Sequence, residues 1–195
     1  MEVQSLTAGL ASGAIGRGEC YRERMARVDD VVAFVLEQFG TMTTYKLQKL
    51  LYYAQGWSLA WDDRPLFDAK IKAYDKGPCV GTVFNDHRGQ RHVSRWSQGD
   101  SSQLTEDDRD TVRAVLEMYG RKTSDELVTM THEEAPWLAS RAAKERGGRD
   151  EITTEALRAF FLRREDAKTP TPAAHAMAHR LASFLADDGR DDTRR

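Results

Sequence analysis

The chain predicts a mostly α fold of the α+β kind: a compact helical domain with a small β element around residues 66–96. Three observations carry this. Apolar residues recur at helical spacing in nearly every segment that shows a period. Threonines suited to helix starts, Thr43, Thr105, Thr123 and Thr153, stand directly before those segments. The turn pairs Arg64-Pro65 and Gly77-Pro78 fall in the one stretch whose short apolar runs suit strands.

Composition sets the class. Of 195 residues, 40% are hydrophobic and 31% charged, enough apolar surface for one core and unlike a disordered chain. The formal net charge is -2 with both signs interspersed, which gives no long-range field to gather phosphate backbones or anionic lipid. Cys20 and Cys79 lack C-x-x-C spacing, so neither a disulfide framework nor a cysteine-built zinc site is expected. No apolar run approaches the roughly 18 residues of a membrane helix. The stretch from Leu6 to Ile15, broken by Gly9, Ser12 and Gly13, makes a poor signal peptide. A soluble protein of the reducing cytoplasm, without membrane attachment, is the expectation.

Taken in order, residues 1–27 show no sustained period and read as a loose extension. Val28, Val31, Val32, Val35, Leu36 and Phe39 form an amphipathic stripe that Gly40 ends. Thr43 caps the next helix, with Met42 and Leu47 placed as a hydrophobic staple. That helix is expected to reach about Trp61 on a stripe of Leu47, Leu50, Leu51, Ala54, Trp57, Ser58 and Trp61, leaving Lys46, Lys49, Tyr53 and Gly56 on an available face. Leu66-Phe67 and Ile71–Tyr74 are extended candidates, and Pro78 suits the first turn of a short helix through Asn85. His92–Trp96 is a candidate return strand. Thr105 with Asp108, then Thr123 with Glu126, resemble capping boxes; Pro136 starts a short helix holding Trp137 and Leu138 that ends by Gly147-Gly148; Thr153 caps the last core helix, with Phe160 and Phe161 on its apolar side. The domain is thus bounded at 28–166, and 167–195 form a linker and an amphipathic tail helix over residues 173–186.

Motifs for catalysis are weak. His132-Glu133 lacks the second histidine of H-E-x-x-H, because Pro136 stands there. His175 and His179 are spaced for one metal but lack a third ligand, and no metal or cofactor is expected. The acidic pairs Asp62-Asp63, Asp107-Asp108 and Glu133-Glu134 are adjacent, splayed by about 100° on a helix, and read as solvated faces or helix starts. Cys79 has no base beside it and reads as a small core residue. An enzyme is therefore not the expectation. Lys46 and Lys49, with Tyr52 and Tyr53 on the same helix, are residue types that grip a nucleic-acid strand, but no wider basic cluster supports them; a nucleic-acid-binding regulator is the alternative function.

Four segments in order, Thr44-Tyr45-Lys46-Leu47-Gln48-Lys49-Leu50-Leu51-Tyr52-Tyr53-Ala54-Gln55-Gly56-Trp57, Pro65-Leu66-Phe67, Ile71-Lys72-Ala73-Tyr74-Asp75-Lys76-Gly77-Pro78 and Thr131-His132-Glu133-Glu134-Ala135-Pro136-Trp137, resemble the Panacea domain of SocA-like antitoxins, also known as phage-associated GepA-like proteins. The resemblance covers roughly residues 28 to 165; the family often has Trp in place of Tyr74 and an aliphatic residue in place of Cys79. It implies the neutralising partner of a toxin-antitoxin pair. Its partner would be a cognate protein toxin from a neighbouring gene, either masked directly or delivered to a cytoplasmic protease. Lys46, Lys49, Tyr53, His132 and Glu133 are the candidate partner-binding residues, and Leu47, Leu50, Trp57, Gly77, Pro78, Pro136 and Trp137 the structural ones.

Overall fold

Helix α2, Thr44–Trp61, is the element around which the others assemble. The computed structural model describes residues 25–164; the tail helix expected over 173–186, the histidine pair at 175 and 179, Cys20 and most of the amino-terminal extension lie outside them. Thr43 accepts the Lys46 N–H and starts α2 as its sequence predicts. Every residue from Leu47 to Leu59 is buried. A helix surrounded in this way has no solvent side, and here its envelope is α1 (Val28–Phe39), α4 (Glu106–Tyr119), α5 (Ser124–His132), α7 (Thr154–Phe161) and a β hairpin.

The hairpin joins β2 (Ile71–Tyr74) to β3 (Gly77–Val80), antiparallel, with Ile71 opposite Val80 and Tyr74 opposite Gly77. On its other side β2 pairs with β5 (Glu151–Ile152), giving the order β3-β2-β5. A second sheet has only β1 (Met42–Thr43) and β4 (His92–Val93), paired antiparallel. The short helix α3 (Gly81–Asp86) follows β3, a 3-10 turn Ser101–Gln103 leads towards α4, and α6 (Ala135–Glu145) lies between α5 and β5. The fold is therefore mostly helical with small antiparallel sheets.

Local signals explain most helix boundaries. Both capping boxes form: Thr105 with Asp108 and Thr123 with Glu126 exchange side-chain and backbone bonds. Gly40, at φ +78°, ends α1. Three expectations need correction, and one strand has no counterpart in the sequence reading. Pro78 is not in a helix; it lies in β3 opposite Ala73, and α3 starts at Gly81. A proline without an N–H is tolerated there because β3 is an edge strand. Of Leu66-Phe67 only Phe67 makes a bridge, to Ala26, whose N–H also donates to the Leu66 carbonyl at 2.9 Å, so the fold begins upstream of Val28. The return strand at 92–96 is confined to His92–Val93. The strand Glu151–Ile152 has no periodic signature, being two residues long.

The core is one cluster running from Val31 to Phe161, with rings concentrated where α7 crosses α2. Phe161 meets Trp57 edge to face at 5.1 Å and Tyr52 at 5.8 Å. This approach depends on Gly56: a Cβ there would lie 2.2 Å from the Phe161 ring. Phe161 is fully buried, so the ring has nowhere to retreat. Gly56→Ala is accordingly expected to destabilise the domain by about 1–3 kcal/mol through overpacking, read as a lowered urea midpoint. Phe161→Leu in the same chain should recover part of the loss. An unchanged midpoint for Gly56→Ala would show that the two helices are not in this contact.

Candidate functional site

The residues of the sequence motifs meet around α2, and most of them face inward. Lys49 is 1% exposed. Its Nζ donates to the Pro78 carbonyl at 2.9 Å, and its stem passes over Gly77. A Cβ at Gly77 would lie 2.7 Å from Lys49 Cε and Nζ and 2.9 Å from Thr131 Oγ1, and its φ is +99°. Space and backbone both demand glycine. The K-L-Q-K-L, K-G-P and T-H-E-E-A-P-W segments therefore touch one another at a single point. Burial pushes the Lys49 ammonium down to about 8 and the nearby Cys79 thiol up to about 12, so the thiol stays protonated and inert.

Beside Lys49, Gln48 accepts the Val80 N–H on Oε1 at 2.8 Å. Its amide nitrogen must then donate, and it faces His87 Nε2 at 2.8 Å. His87 therefore carries its proton on Nδ1 and is neutral, in keeping with a pKa lowered by burial. One turn on, Tyr52 and Tyr53 donate to the two oxygens of Glu134 at 2.7 and 3.1 Å, and Arg164 donates to the same carboxylate at 2.9 Å. Burial raises both phenol pKa values, and Glu134 raises them further. Burial also raises that of Glu134, against the opposing pull of Tyr52, Arg164 and Tyr53. This carboxylate fastens the α5–α6 turn to α2 and to the end of α7.

The structure thus corrects the open face expected on α2. Lys49 and Tyr53 are interior, as is Tyr52, because each polar tip finds a buried partner and need not reach water. Lys46 is half-buried, with Nζ donating to the Gly120 carbonyl at 2.5 Å and lying 4.3 Å from the centre of the Phe39 ring. There it satisfies the carboxyl-terminal end of α4. His132 is half-buried and stacked on Trp137 at 4.1 Å, its pKa lowered by burial and by Lys49, Lys76 and Arg141. Glu133 is exposed. Leu47, Leu50 and Trp57 are fully buried, and Pro136 is buried at the start of α6. Trp137 is half-buried, its Nε1 donating to the Tyr74 carbonyl at 3.0 Å.

Sequence reasoning missed Gln48, Gln55, His87 and Glu134. The three acidic pairs read as solvated each split: Asp108 and Glu134 are buried and Asp62 is half-buried, while Asp107, Glu133 and Asp63 face water. Within α4 the 100° splay turns Asp108 inward beside exposed Asp107, whereas the other two pairs stand at helix ends, where the backbone changes direction between the two residues. The sequence signal that could have found the network is that α2 carries no continuous polar face.

Over the motif junction lies a groove of about 830 Å³. Its buried lining is Thr44, Gln48, Lys49, Gly77, Cys79 and His87; Tyr74 and Phe84 form half-buried walls, in edge-to-face contact at 5.6 Å. Its exposed lining includes Tyr45, Asp75, Lys76, Arg88, Arg91, His92 and Lys144. Among the described residues no three His, Cys, Asp or Glu side chains converge as metal ligands, and no helix is long and apolar enough to cross a membrane.

Compared with known proteins, residues 47–138 match the family described as "Antitoxin SocA-like, Panacea domain". Neither a curated protein nor a solved structure matches the chain.

The buried lysine has a measurable consequence. Its folded pKa, about 8, lies below the 10.5 of an exposed lysine, so the unfolded chain holds more protons between those values and the Lys49 contribution to stability rises with pH across that window. Comparison with Lys49→Met isolates it from Cys79 and the tyrosines, which titrate in both chains. From pH 7 to pH 9 the parent should gain about 1 kcal/mol relative to the variant. Parallel stability curves for the two chains would mean that Lys49 is solvated.

Proposed function

Because residues 47–138 belong to the antitoxin SocA-like, Panacea domain family, we propose that this protein is an antitoxin that neutralises a protein toxin encoded beside it. One observation supports this reading above others. The family's motif residues are consumed in holding the fold: Gln48, Lys49, Tyr52, Tyr53 and Glu134 each bind another segment of the same chain. A domain whose signature is internal is a scaffold, and its work then falls to the surface the scaffold presents. Recognition by a preformed surface needs no catalytic group. Of the routes open to such a protein, direct masking of the toxin is favoured over delivery to a protease, because the groove at the motif junction stands open on a rigid frame. Glu133 and half-buried His132 remain on the surface as further candidate contacts. The nucleic-acid alternative is less well supported, since Lys49, Tyr52 and Tyr53 are buried and half-buried Lys46 is bonded to the Gly120 carbonyl.

Expression of the adjacent gene alone should arrest bacterial growth, and co-expression of this protein should restore it. In a purified two-component mixture the toxin's activity should fall without any protease or nucleotide present. Inhibition that needs a protease would replace masking by delivery; a harmless neighbour that this protein neither binds nor alters would remove the antitoxin reading itself.

A further inference from the structure

We infer that the groove beside the amino-terminal end of α2 is the toxin-docking site, and that its occupant is an acidic segment of the toxin carrying an apolar side chain. This rests on the antitoxin reading and goes beyond it by naming the surface and the chemistry of what fills it.

Charge complementarity carries the argument. Besides buried Lys49, four exposed cations line the groove, Lys76, Arg88, Arg91 and Lys144, against one carboxylate, Asp75, which Arg141 already holds at 2.7 Å. Lys144 is shared with Asp150 at 3.4 Å, whereas among the described residues no carboxylate pairs with Lys76, Arg88 or Arg91. The chain as a whole carries -2, so this excess of positive charge is local. Unpaired cations around an apolar wall suit a partner that brings carboxylates to the rim and an apolar side chain to Tyr74 and Phe84. Tyr45, 49% exposed at the mouth, adds a large ring of the kind that anchors interfaces.

The arginines are also held in place. The Thr44 N–H donates to the Arg91 carbonyl at 3.1 Å and the Thr44 hydroxyl to the Gln90 carbonyl, so the 88–91 loop is fixed by backbone bonds to the first residue of α2. Arg88 and Arg91 are thus presented on rigid backbone while their side chains stay exposed. A nucleic acid suits the groove less well. Tyr74, Phe84 and His87 are packed edge to face as one cluster rather than spread as successive stacking platforms, and beyond Lys144 the neighbouring Lys70 and Lys72 are each matched by a carboxylate, Glu151 and Asp150.

The test measures binding of the full chain to the purified product of the adjacent gene by titration calorimetry, from about 50 to about 300 mM salt, a range that shortens the screening length. The parent should lose affinity as salt rises. Arg88→Glu with Arg91→Glu should bind at least about tenfold more weakly, with a flatter salt dependence and an unchanged urea midpoint, because both side chains are exposed and only their backbone supports the fold. Arg88→Lys with Arg91→Lys should keep most of the affinity, and Tyr45→Ala should lose affinity without changing the salt slope. Equal affinity of the charge-reversed chain and the parent overturns the docking site while leaving the antitoxin reading intact. A parent that does not bind the product at all overturns both. If a single-stranded or duplex oligonucleotide binds the parent but not the charge-reversed chain, while the toxin binds both, the groove is a nucleic-acid site and the inference is wrong.

Discussion

A helix buried on every side must satisfy each polar atom it carries without help from water, and in this protein that requirement on α2 organises the rest of the chain. Leaving one buried polar group unpaired costs about 1–3 kcal/mol, more for a charge. Polar side chains along α2 face this condition, and they resolve it by gripping other segments. Gln48 takes β3 and His87, Lys49 takes the Pro78 carbonyl, and Tyr52 with Tyr53 takes Glu134. Gln55 bonds the Leu66 and Phe67 N–H groups and the Phe67 carbonyl, and Ser58 bonds the Arg64 carbonyl. Loops that would otherwise lie on a surface are thereby tied to the centre. The hydrophobic core supplies the driving force, and these bonds select the arrangement.

The same bonds shape the groove. Gln48 and Lys49 hold β3 against α2 from its edge, which both uses the unpaired side of that strand and prevents it from pairing with another chain. Pro78 in the edge removes one donor besides. Beyond β3 the chain turns through α3 and returns to pair β4 with β1, and the space enclosed between hairpin, α3 and the start of α2 is left open. A surface made in this way owes its shape to buried residues and its chemistry to exposed ones. Its exposed cations can be substituted without disturbing the bonds beneath.

Helix starts were legible in the sequence because they are local. Thr43, Thr105, Thr123 and Thr153 each bond a backbone N–H three residues on, a geometry set within one turn and therefore written in neighbouring residues. Gly40 and the pair Gly147-Gly148 mark ends for the same reason. The core aliphatics Leu47, Leu50 and Val31 followed from spacing alone. Pro78 was misread because a proline after a glycine suits a helix start as well as an edge strand, and only the pairing with Ala73 distinguishes them. The two-residue strands were too short for any period.

For the site, the sequence by itself determined which segments and residue types carry the motif, through the family resemblance of stretches separated along the chain. It also determined that no wide basic field or metal-ligand spacing accompanies them. Only the tertiary structure decided which way they face. Lys49 reads as a surface cation until Pro78 and Gly77 close over it, and Glu133 and Glu134 are equivalent until α2 brings two phenols to one of them. The groove's cations come from β2–β3, the loop after α3 and α6, so their grouping is invisible along the chain. Burial and charge complementarity depend on neighbours distant in sequence, whereas caps and periodicity depend on neighbours within a turn, and a linear reading resolves only the second kind.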